Sequence, residues 1–228
     1  MSSSTLYRLS GISLIWGGGF IALGYALHPA GDNPKDLANP LQIPVHLMIF
    51  FGIFLLLLGL IGLYARQSSR VGILGLAGLL LLFFALPMIE MPHTVAGFGL
   101  FPVLATKVPP QEALTLINSI FDSTPLGIMS AISVPMAVLG TLISGIVTFR
   151  AHFLSRGIAM AFFSIIGIEI LSLIPGVSDV MILLKFPAEI YLCFAAVGFL
   201  VLLDKGKPQL STASGKDTPG VHAISGKA

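Results

Sequence analysis

Six runs of almost unbroken apolar residues, at 9–27, 43–64, 71–89, 126–149, 157–174 and 180–203, constrain this chain more than any other feature. A helix needs roughly 20 apolar residues to cross about 30 Å of hydrocarbon. In that medium a helix satisfies every backbone N–H and C=O within its own segment, which an open strand does not. The runs therefore predict transmembrane helices. Charged residues make up 10% of the 228, and the mean hydropathy is +0.97. A soluble domain carries about a quarter charged residues, so this chain has too little polar surface to cover a water-facing globule. The expected fold is an all-α integral membrane protein, a six-transmembrane-helix bundle over residues 1–203. From 204 to 228 Lys, Gly, Ser, Thr and Pro replace the apolar residues, which predicts a flexible tail in which His222 plays no part.

Lysine and arginine in short loops are retained on the cytoplasmic side. With six spans, one side holds Arg8, Arg66, Arg70, Arg150, Arg156, Lys205 and Lys207, and the other only Lys35, Lys107 and Lys185. The bias places both termini in the cytoplasm, in a membrane of the bacterial inner or plasma type. The apolar patch at 95–105 is too short to cross, and counting it as a span would destroy the bias. The first run is longer than a signal-peptide core and is followed by no convincing cleavage site, so it reads as an uncleaved span. The net charge is only +2 and the basic residues are scattered, which argues against nucleic acid as a partner. The lipid bilayer is the expected partner, with a larger membrane protein or a second copy of the chain as further candidates. Cys193 is the single cysteine, so no disulfide forms within the chain, and it reads as a small buried hydrophobe.

Between the third and fourth runs lies a long extracytoplasmic connection. Pro109 and Pro110 open a stretch in which Leu114, Ile117, Ile120 and Phe121 recur at helical spacing opposite Gln111, Glu112, Thr115 and Asn118. This predicts a short amphipathic helix, either on the outer membrane surface or as a lid packing over the bundle. Pro87 and Pro92 each remove a backbone donor, which predicts a kink beside Glu90 and His93. Small residues at Gly17, Gly18 and Gly19, at Gly140 and Ser144, and at Gly72, Gly75 and Gly78 mark expected close contacts between helices.

The ionisable residues are unevenly placed. On the six-span topology His28, His46, Glu90, His93, Glu169 and Glu189 all fall in the extracytoplasmic half. A carboxylate in hydrocarbon costs on the order of 2.5–3.5 kcal/mol and faces a bundle interior with a partner. Glu189 has Lys185 four residues before it as a simple partner. For the others a divalent metal would serve, since imidazole and carboxylate suit Zn, Fe, Cu or Mn. The candidate metal ligands are His46, Glu90, His93 and Glu169, with Glu90 and His93 at a helical i, i+3 spacing. Alternatively, two of His28, His46 and His93 would hold a b-type haem between helices. His152 reads as part of a basic loop facing anionic headgroups.

Three functions compete: a metal- or haem-binding membrane protein, a proton-coupled transporter using Glu90 and Glu169, and a non-catalytic accessory subunit of a larger membrane complex. The halves show no repeat of the kind many transporters carry. No phosphate loop, His-Glu-x-x-His or Gly-x-Ser-x-Gly is present, so no catalytic residue is assigned and enzymatic activity stays an open question.

Overall fold

The structure, a computed structural model, describes residues 3–29, 34–172, 174 and 186–204. Lys185, Lys205, Lys207, His222, the start of the sixth run and the tail lie outside the described residues. Among the described residues all regular structure is helical: α1 (Ser3–Leu27), a 3-10 turn (Pro34–Ala38), α2 (Gln42–Val95), a π-helical turn (Ala96–Leu100), α3 (Phe101–Lys107), α4 (Pro110–Phe121), α5 (Thr124–Ala151), α6 (Arg156–Ser172) and α7 (Phe186–Leu203). Three stretches are long and apolar enough to cross a membrane, Thr5–Leu27, Gln42–Lys107 and Thr124–Ala151, while Pro187–Leu203 is apolar but shorter.

The second stretch holds 66 residues, and drawn out straight it would extend about 100 Å at 1.5 Å per residue. It instead doubles back at Gly72, whose φ of 55° and ψ of −147° lie in a region that a side chain disfavours. His46 and His93, 47 positions apart, consequently come within 3.2 Å at their Nε2 atoms. Helix continues through Arg66 and Arg70, so the reversal that the sequence spreads over a loop is confined to one glycine.

Pro87 and Pro92 both lie within α2, whose non-helical backbone is confined to Gly72. Beside them Thr94 donates its hydroxyl to Glu90 O at 2.5 Å, and the Ala96 N–H reaches both Pro92 O and His93 O. A π-helical turn follows at once.

The long helices form a closed ring in which α1 packs on α2, α2 on α5, α5 on α6, α6 on α7, and α7 returns to α1. The contacts are made by close backbone approach, the form of packing favoured where side chains gain little by leaving lipid for one another. A Cβ on Gly17 would meet the backbone of Leu56 and Gly52, and one on Gly18 the backbone of Tyr191 and Ala195. Gly198 of α7 likewise faces the Gly11 carbonyl. Leu14, Ile21, Ile49, Ile53, Leu56, Phe162, Tyr191, Phe194 and Val197 fill the interior. Outward-facing Phe51, Leu58, Ile73, Leu192 and Phe199 are more than half exposed, an apolar outer surface that suits lipid and would be a liability in water.

At the arginine-rich end, Arg66 donates to Val201 O at 2.8 Å and Asp204 O at 2.5 Å, and the Ser155 N–H donates to the Asp204 carboxylate at 2.6 Å. At the opposite end α4 packs inward. Its Ala113 and Ile117 are buried against Leu37 and Phe101, so the amphipathic helix covers the bundle with its apolar face. A stripe of this kind fits a lipid surface or a protein surface equally well, and of the two readings that the sequence leaves open the structure shows the lid.

Candidate metal centre

Three helical segments bring His28, His46 and His93 to one point. His28 follows the last turn of α1, His46 lies in the first turns of α2, and His93 lies near its far end. The Nε2 atoms form an almost equilateral triangle: 3.1 Å from His28 to His46, 3.2 Å from His46 to His93 and 3.1 Å from His93 to His28. The rings are tilted against one another, with centroids 4.8–5.1 Å apart.

The other ring nitrogens fix the tautomers. His46 Nδ1–H donates to Gln42 O at 2.6 Å, and His28 Nδ1–H donates to Pro29 O at 2.5 Å. Such bonds leave Nε2 as the lone-pair atom. Two lone pairs thus face each other across the triangle, and a single N–H from His93 would satisfy only one of them at a time. A cation at the apex satisfies all three. With metal–nitrogen bonds of about 2.0–2.1 Å, an ion equidistant from the three nitrogens stands about 1 Å off their plane, with N–metal–N angles of about 100°. That is close to tetrahedral geometry and leaves a position beyond the three imidazoles.

The surroundings are close and apolar. His46 is fully buried. Phe101 meets the rings of His46 and His93 edge-on, with centroids 6.0 Å away in both cases, and Phe121 lies 5.8 Å from His93. The backbone of the π-helical turn presses directly on His46, since a Cβ on Gly97 would run into its imidazole. The cover provided by α3 and α4 therefore reaches the three histidines themselves.

Glu90 sits one turn before His93 but in a separate set of contacts. Its carboxylate accepts from Tyr25 Oη and from Tyr191 Oη, each at 2.5 Å. The two phenol rings stack nearly parallel, 6.1 Å apart. Glu90 is 3% exposed, so these two donors supply the partners that a buried carboxylate requires. Glu169, half-buried on α6, lines a cavity with Glu90, Tyr25 and Tyr191. Glu189 is half-buried on α7, as is Cys193. His152 ends α5 in a left-handed conformation, its ring near Phe149 at the arginine-rich end.

Of the residues singled out from sequence, the structure brings the three histidines within reach of one ion, while the Glu90 carboxylate is held by Tyr25 and Tyr191. Sequence reasoning missed Tyr25, Tyr191, Phe101, Phe121 and Gly97. Tyr25 lies in the last turn of α1, three residues before His28, a signal that was available. Tyr191 offered no local signal. Comparisons with protein-family models, with curated proteins and with solved structures find no match for this chain.

Proposed function

We propose that this chain is a multi-pass membrane protein that binds one divalent transition-metal ion through His28, His46 and His93. The observation that carries the proposal is the triangle of Nε2 atoms at 3.1–3.2 Å, with two of the three rings oriented by backbone carbonyls to aim lone pairs at its centre. Three neutral imidazoles with a further open position suit zinc, and suit copper, iron or nickel by ligand type. A haem is less well supported. Two axial nitrogens stand about 4 Å apart across iron, twice a metal–imidazole bond of about 2.0 Å, with a macrocycle between them, and the rings here pack against one another.

The finer topology belongs to this reading. Six spans follow if the hairpin of α2 contributes two, α1 and α5 one each, and α6 and α7 complete the ring. The arginine bias then sets the histidines at the extracytoplasmic end and both termini in the cytoplasm. An ion held there, with three protein ligands and one position left over, is equipped to act as a Lewis acid or to pass to a partner.

Elemental analysis of the full chain, purified in mild detergent without chelator, tests the proposal, followed by Zn²⁺ and Co²⁺ titration. One equivalent of metal with a Co²⁺ ligand-field spectrum, both lost in His46→Ala and in His93→Ala, is the expected result. A folded protein that carries no metal and takes up neither ion would overturn it.

A further inference from the structure

Where α3, the 3-10 turn and the start of α2 meet, the protein holds a cavity of about 230 Å³, with Leu37, Asn39, Gln42, Pro102, Ala105 and Thr106 among its lining residues. Pro40 and Thr106 are exposed, so the cavity opens to the outside of the bundle. Gln42 joins it to the three histidines: its side chain lines the cavity, while its backbone carbonyl accepts from His46 Nδ1 at 2.6 Å. One helix, α3, walls both, presenting Phe101 to His46 and His93 and Pro102, Ala105 and Thr106 to the cavity. We infer that this cavity is the entry site of the metal centre, where a hydrated divalent cation is held through its water molecules before the ion passes to His28, His46 and His93. The inference rests on the metal reading proposed above and adds the way by which the ion arrives.

The hydrogen bonds select that guest. Gln42 is 2% exposed. Its Nε2 donates to Asp36 O at 2.9 Å, which fixes the orientation of the amide, and its Oε1 has no partner. A buried acceptor left unpaired is costly, so the site calls for a donor. The end of α3 adds to the surplus of acceptors. Pro109 and Pro110 stand four residues after Ala105 and Thr106, so neither of those carbonyls has the N–H that a continuing helix would offer it. Donors beside the cavity are spent on the protein itself: Leu41 N–H goes to Asn39 Oδ1, Gln42 N–H to Asn39 O, Val45 N–H to Leu41 O and the Thr106 hydroxyl to Val103 O. A guest that fits must therefore donate in several directions. The water shell of a divalent cation does so, because the ion draws each oxygen inward and turns the hydrogens out. Size agrees, since about six waters at about 30 Å³ each occupy about 180 Å³.

The experiment is stopped-flow uptake of Zn²⁺ by the full chain in detergent, followed with a zinc indicator, in the presence of cobalt(III) hexammine. That complex presents a shell of N–H donors much like a hydrated ion, but it is substitution-inert and gives no ligand position to an imidazole. It is expected to slow Zn²⁺ uptake at least about tenfold, the low end of what a cleft that concentrates its substrate contributes to an on-rate, while the amount of Zn²⁺ finally bound stays the same. Tetramethylammonium at equal ionic strength, a cation without donors, is expected to leave the rate unchanged. Ala105→Phe, which fills the cavity away from the histidines, is expected to slow uptake by a similar factor without hexammine. A rate indifferent to hexammine, equal slowing by both cations, or a normal rate in a folded Ala105→Phe would overturn the inference while the metal centre stands. A chain that takes up no Zn²⁺ at equilibrium would overturn both. The comparison of cations on the unaltered chain decides the matter even if the variant fails to fold.

Discussion

Gly97 and Gly99, two residues apart on one π-helical turn, form a controlled pair for testing the metal centre. A Cβ on Gly97 would strike Cγ, Cδ2 and Nε2 of His46, whereas a Cβ on Gly99 has nothing within 4 Å. His46 cannot yield freely, because its Nδ1–H is committed to Gln42 O and the ring is fully enclosed. Gly97→Ala must therefore rotate the imidazole out of the triangle or shift the turn that covers it. Overpacking of this kind costs typically 1–3 kcal/mol, and if the whole cost falls on the metal-bound arrangement the affinity drops by about 5- to 150-fold. Competitive Zn²⁺ titration against a chelator of known affinity measures the drop, and the Co²⁺ spectrum reports whether three nitrogens still ligate. Gly99→Ala is expected to bind as tightly as the unaltered chain and to be slightly more stable, since alanine is favoured over glycine in helix by up to about 1 kcal/mol. Equal Zn²⁺ affinity in Gly97→Ala and Gly99→Ala, with both folded, would refute the placement of His46 against this turn.

Further expectations follow from the same geometry. Tyr191→Phe leaves one Glu90 oxygen without its donor in a buried site and is expected to destabilise the protein by about 1–2 kcal/mol, read by denaturant unfolding in detergent; a change within error would mean that the bond contributes nothing. Gly72→Ala forces a side chain into a backbone region that is essentially glycine-only and is expected to cost about 1–3 kcal/mol, whereas Gly19→Ala, helical and in open space, should stabilise slightly by the same assay, by up to about 1 kcal/mol. Zn²⁺ affinity is expected to fall as the pH is lowered, because protons compete for the three Nε2 lone pairs, and a flat affinity–pH profile would argue against imidazole ligation.

The helical class and the gathering of polar residues at one end of the chain's helices were legible because they depend on local pattern: apolar runs, helix ends and the spacing of His28, His46 and His93 along those runs. Their convergence was not legible. It depends on a reversal at the single residue Gly72, which reads as one more small residue in a glycine-rich stripe, and on how closely Gly17 and Gly18 let α1 approach its neighbours. Pattern alone left the seat of α4 open between membrane surface and bundle, because Ala113 and Ile117 suit lipid as well as Leu37 and Phe101. The partners of Glu90 were hidden for a related reason: Tyr191 lies 101 positions away, and nothing in its neighbourhood distinguishes it from a tyrosine at a membrane interface.

The closure of the helix ring bears on what a shortened chain would lose. Helices emerge from synthesis in order, yet α1 finds its second neighbour only in α7, the last of the described helices. Without α7, the surface around Gly11 and Gly18, shaped to take another backbone at close range, lacks the neighbour it fits, and Glu90 keeps Tyr25 without Tyr191. The three histidines, by contrast, all precede α3, so the ligand set and the closure of the circle lie at opposite ends of the chain.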